Sequence, residues 1–214
     1  MLKKITAKHT PFSVFAWIIS IIFHPVVYAT FGSAVLLWML PEYYFLHAAV
    51  KRQFIVSICM MTYVLPLLVF PIYYVMLQLL NTSVREPHVR LFLLFTTTCI
   101  YIFTYKKLFV HSLFAPIHTY ILLCATLLFL SFLITFFWRI SLHMIGIGGF
   151  IGLLFSLLKI TYIYNELLFV LAVAVAGVVA YSRLLLQAHS QSQVYVGFLL
   201  GFIVSVVFLY LFPI

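Results

Sequence analysis

Long apolar runs separated by short polar islands set the pattern of this chain. The runs fall at about 12–40, 53–80, 91–105, 116–138, 146–164, 166–181 and 194–212. A spanning helix needs roughly 20 mostly apolar residues. The pattern therefore predicts an all-α fold: a polytopic transmembrane helical bundle of about six or seven spans, with residues 1–214 as one domain. His24-Pro25 interrupts the first run, and Pro66 and Pro71 lie inside the second. Proline removes a backbone donor and kinks a helix, so segment 12–40 is expected to be bent or partly re-entrant. The fifth run opens near Gly146, Gly148 and Gly149. No low-complexity linker and no internal repeat is evident.

Composition strengthens the membrane assignment. Apolar residues make up 66% of the chain and charged residues 7%, where a soluble domain carries about 25%. Lipid must be the solvent for most of the exterior. The 12 basic residues outnumber the 3 acidic ones. In a soluble protein that excess would suggest nucleic acid. Here Lys3, Lys4, Lys51, Arg52, Lys106 and Lys107 flank apolar runs, as anchoring and topology require. The lysines before residue 11 resemble the start of a signal peptide. The run at 11–40 is longer than a signal core and lacks a clear cleavage site, so it reads as a retained segment. Cys59, Cys99 and Cys124 lie inside apolar runs without metal-ligand spacing, and read as small buried side chains. The 23 Phe and 14 Tyr read as lipid-facing bulk and interfacial belts. Nothing implies a cofactor or a metal.

Alternating spans place the islands at 1–10, 81–90, 139–147 and 182–193 on one face. Those at 41–52, 106–115 and 160–165 share the other face with the C-terminus. Counting every Lys and Arg makes the first face cytoplasmic. Setting aside Arg85, Arg90, Arg139 and Arg183 reverses the balance, so charge alone leaves the orientation open. Three islands of the first face gather those arginines with His88, His143, His189, Ser141 and Ser182. Arginine's planar fork suits phosphate. Histidine suits proton transfer and nucleophilic attack near neutral pH. Together they suggest phosphoryl chemistry on a lipid-like substrate, although taken singly each arginine can snorkel and each histidine can bond a carbonyl. His24 has the same two readings. Gly146, Gly148, Gly149 and Gly152 suit either close helix packing or approach of a phosphate to backbone N–H groups; packing is the expectation.

Ser182-Arg183, five residues, His189, three residues and Gln193 resemble S-R-x5-H-x3-D, the third signature of the type 2 phosphatidic acid phosphatase superfamily. That superfamily includes membrane lipid phosphatases and haloperoxidases. Upstream, Ser141 and His143 fit part of its P-S-G-H signature, with Ile140 and Leu142 replacing proline and glycine. Further upstream, Arg85 to Arg90 stands where K-x6-R-P belongs, sharing only basic character. The resemblance covers about 80–205, leaving 12–80 as extra N-terminal segments. It implies that His189 is the nucleophile, forming a phosphohistidine, and that His143 is the general acid. It implies that Arg183, Ser141 and Ser182 bind phosphate, with Arg85 or Arg90 as a further clamp; Arg139 could join that cage but is not a family position. It implies no metal, a membrane lipid or lipid phosphate as partner, no nucleic acid, and a bacterial-type inner membrane with an outward-facing site. Gln193 replaces the aspartate that orients the nucleophile. A glutamine orients through its carbonyl but brings no charge; the comparable change in a serine-protease triad costs about 10⁴ in rate. Glu86 is a candidate compensating carboxylate. The alternative is a catalytically impaired pseudo-phosphatase that binds lipid or a partner membrane protein. A small transporter has only its several spans and broken helices in its favour.

Overall fold

The computed structural model describes residues 11–79, 86–108, 114–160 and 166–214, and among these it is helical without strands. The α-helices are α1 Pro11–Ile22, α2 Val27–Met39, α3 Ala48–Cys59, α4 Leu65–Leu79, α5 Glu86–Leu108, α6 Ala115–Thr135, α7 Leu142–Ile160, α8 Glu166–Leu185 and α9 Gln191–Leu211. A 3-10 turn, Pro41–Tyr43, follows α2, and a π-helical turn, Met60–Val64, joins α3 to α4. Among the described residues, six stretches are long and apolar enough to cross a membrane, one of them the continuous rod Ala48–Met76. A seventh is obtained if α1 and α2, bent by 58° at their break, count as one span. The protein is an all-α membrane bundle.

Two prolines shape it through the carbonyls they leave unbonded. In an α-helix, Pro66 would bond the Thr62 carbonyl, but it has no N–H. The helix passes this point as a π turn, with Leu65 N–H reaching back to Met60 O. The buried Tyr101 hydroxyl of α5 donates to the Thr62 carbonyl at 3.1 Å. Pro25 likewise cannot bond Ile21 O. His24 N–H turns to that carbonyl instead, at 3.3 Å, which leaves Ser20 O free for a donor from elsewhere. The predicted bend is where the sequence placed it.

Helix α7 is the most buried span, and small residues set its contact with α9. A Cβ on Gly148 would run into the Phe198 carbonyl, and one on Gly201 into the Ile145 carbonyl. Gly152 faces Ser205, and Gly197 faces the Ser141 carbonyl. This is the small-xxx-small packing that lets helices approach in lipid. The glycines of α7 are thus packing positions. Gly32 plays the same part in α2: it makes room for the Tyr120 ring, whose hydroxyl donates to Tyr28 O at 2.7 Å.

Some expectations shift. Helix α7 starts at Leu142 and α8 runs on to Leu185, so His143, Ser182 and Arg183 sit in terminal helical turns, not in loops. A polar residue ends an apolar run but need not end a helix whose last turn lies at an interface. Of the cysteines, Cys99 is exposed on the outer surface rather than buried, while Cys59 and Cys124 are partly buried.

Gly148→Ala and Gly201→Ala should each lower stability by about 1–3 kcal/mol, the range for overpacking. Gly177, with nothing near its Cβ position, should accept alanine with a gain of up to about 1 kcal/mol. Unfolding in detergent followed by circular dichroism compares the three.

Candidate functional site

The α6–α7 connection is held between α5 and α9. Arg90, one turn into α5, donates through Nη2 to the Ile140 carbonyl. Ser141 N–H donates to the Gln193 carbonyl at 3.3 Å. Ile140 and Ser141 are fully buried. The first turns of α5, α7 and α9 therefore meet at one end of the bundle, as alternation of the spans predicts. The end of α8 joins them through a tight turn. Gln187 has φ 50°, the left-handed conformation common after a helix end, and Ala188 N–H bonds back to Arg183 O at 3.2 Å. That turn carries His189 out beside Arg183.

His189 has a defined tautomer. Its Nδ1 lies 3.1 Å from Gln193 Oε1. The same oxygen accepts the Ser190 backbone N–H at 3.1 Å, while Ser190 Oγ accepts Gln193 N–H at 3.4 Å, completing a capping box at the start of α9. Because a backbone N–H can only donate, the amide atom facing it is the oxygen. His189 Nδ1 must then carry the proton, and Nε2 keeps its lone pair. Burial pushes the His189 pKa below the usual 6.5, the Gln193 bond opposes that fall, and Arg183, Arg90 and Arg139 add to it. At neutral pH the ring is an uncharged base.

His143 Nε2 lies 3.0 Å from Ser20 O, the carbonyl released by the break at Pro25. A carbonyl only accepts, so Nε2 carries a proton and Nδ1 is the nitrogen left for other work. The His24 ring packs edge-on to His143, centroids 5.7 Å apart and planes at 80°. His24 is therefore level with the first turn of α7, not in the middle of a span as its position in the apolar run suggests.

Two half-buried arginines each keep a buried Nε without a partner. Arg90 Nε and Arg183 Nε have no hydrogen bond, and neither do Ser141 Oγ and His24 Nδ1. A buried polar group left unbonded costs about 1–3 kcal/mol. Arg183 is within electrostatic reach of His24, His143 and His189, and Arg139 is within reach of Arg90 and Arg183. Converging cations, of which Arg90 and Arg183 each keep an unmet Nε donor, are arranged to receive an anion.

The structure thus brings together Arg90, Arg139, Ser141, His143, Arg183, His189 and Gln193. Arg85 lies outside the described residues, as does the Glu86 side chain. His88 is exposed on the first turn of α5. The Ser182 hydroxyl is not presented to the site: it is buried and donates to Val178 O of its own helix at 2.8 Å, the usual back-bond of a serine within a helix. His24 belongs to the cluster, which the sequence left between two readings; the signal was the proline after it. In comparisons with known proteins, the chain matches no family model, no curated protein and no solved structure.

Gln193→Leu should release His189, so that imidazole ¹⁵N shifts in micelles change from a single Nδ1–H form to a mixture of tautomers.

Proposed function

We propose that the chain is a divergent membrane lipid phosphatase, related to the type 2 phosphatidic acid phosphatases, that hydrolyses a phosphomonoester or pyrophosphate of a lipid through a phosphohistidine. The observation that carries this reading is the meeting of Arg90 and Arg183, both with unmet donors, with a histidine whose Nε2 lone pair is free. In this reading the arginines and the Ser141 hydroxyl hold the phosphate oxygens. Such chemistry depends on positioning and charge neutralisation. His189 Nε2 attacks phosphorus as the bond to the leaving oxygen breaks, and His143, charged once the bound phosphate dianion offsets Arg183, gives its Nδ1 proton to that oxygen. Water then attacks the phosphohistidine, its proton returns to His143, and phosphate leaves. The membrane would be a bacterial inner membrane with the site facing outward, where lipid phosphates reach it from the bilayer.

The neutral Gln193 favours a second reading, a pseudo-phosphatase that binds a lipid phosphate or a partner membrane protein without turnover. Phosphorylated His189 is cationic, and an amide oxygen stabilises that cation less than a carboxylate does.

Phosphate release from phosphatidic acid, phosphatidylglycerol phosphate and undecaprenyl pyrophosphate separates the two. The phosphatase reading expects release that disappears in His189→Ala and rises in Gln193→Asp by tenfold or more, with about 10⁴ as the upper bound from the triad analogy. Release unchanged in His189→Ala rules out the nucleophile. Binding without release on any substrate establishes the pseudo-enzyme. The pH profile carries a sign. Only neutral His189 attacks, so kcat/KM should fall as pH drops through a value below 6.5, because burial and the arginines lower its pKa. A carboxylate at 193 favours the charged ring and should move that limb to higher pH.

A further inference from the structure

We propose that the broken first span is a working part of the phosphate site, with Ser20 O fixing the tautomer of His143 and His24 serving as a positioning residue that holds the His143 ring edge-on. The inference rests on the phosphatase reading for its chemistry, but its geometry stands alone. His143 Nε2 is committed to Ser20 O, so His143 acts as an acid only when Nδ1 is protonated as well. The ring facing it is His24, whose Nδ1 is buried without a partner. The other charged or titratable groups in reach are Arg183 of α8, for both rings, and His189, for His143. Both Ser20 O and His24 are delivered by one event, the missing N–H of Pro25. It sends His24 N–H to Ile21 O and so frees the Ser20 carbonyl. None of these three residues lies in the stretch that resembles the phosphatase signatures.

Two arms of experiment test the proposal on the full chain in detergent micelles. The first needs no turnover: histidine ¹⁵N spectra of wild type, Pro25→Ala, His24→Ala and His24→Phe. Alanine at 25 supplies the missing N–H to Ile21 O, so His24 N–H returns to Ser20 O and His143 should lose its single Nε2–H form. His24→Ala removes the ring packed against His143 and should shift the His143 ring signals, whereas His24→Phe keeps a ring there and should leave them near those of wild type. An unaltered His143 in Pro25→Ala or in His24→Ala overturns the proposal. The second arm is phosphate release. His24→Ala should lower kcat at least tenfold with KM little changed, and His24→Phe should restore most of it; equal kcat in wild type and His24→Ala overturns the positioning role. Pro25→Ala repeats the second arm should the His24→Ala variant not fold. If the wild-type chain releases no phosphate, the phosphatase reading fails by itself, and the spectra still decide the geometry.

Discussion

A backbone carbonyl within a bilayer needs a donor from the protein, because lipid offers none. Pro25 and Pro66 each disturb that balance, and much of the architecture answers them. Near Pro66 the answer is structural: a π turn and the hydroxyl of Tyr101, which ties α5 to the rod formed by α3 and α4. Near Pro25 the answer is an imidazole. Ser20 O takes the Nε2 proton of His143, so the break in the first span sets the tautomer of a ring on α7. The bend is a hydrogen-bond donor problem whose solution orients a candidate catalytic group.

The other end of the site obeys the same accounting. Gln193 Oε1 serves two donors, the N–H that begins α9 and the Nδ1 proton of His189. A single side chain caps a helix and leaves Nε2 of His189 with its lone pair. Around these rings stand Arg90 and Arg183, whose Nε atoms are buried without partners. An anion would meet those donors and offset the repulsion each feels from Arg139, and a phosphate does both with the geometry that guanidinium favours. Close packing of α7 on α9 through Gly148, Gly152, Gly197 and Gly201 keeps His143 and His189 in register.

Much of this was legible in the sequence. Run lengths and charge scarcity indicate a membrane bundle, and alternation of spans indicates that the polar islands share an end. His24-Pro25 marks the bend. What polarity patterns do not show is direction. Ser182 stands in a signature yet turns its hydroxyl into its own helix, since a serine near a helix end can bond the carbonyl four residues back. Cys99 sits in an apolar run yet faces outward, because membrane helices are apolar on both their lipid and protein faces. His24 seemed to lie deep in a span because run length cannot reveal that a proline break reaches the level of another helix's first turn.

The central claim is that Arg90, Arg183 and His189 form one anion site. Calorimetric titration of the purified protein with orthovanadate, a phosphate mimic, tests it most directly. The account predicts one saturable site, weakened at least tenfold by Arg183→Gln and by Arg90→Gln alike. Absence of binding, or binding indifferent to both substitutions, would contradict it.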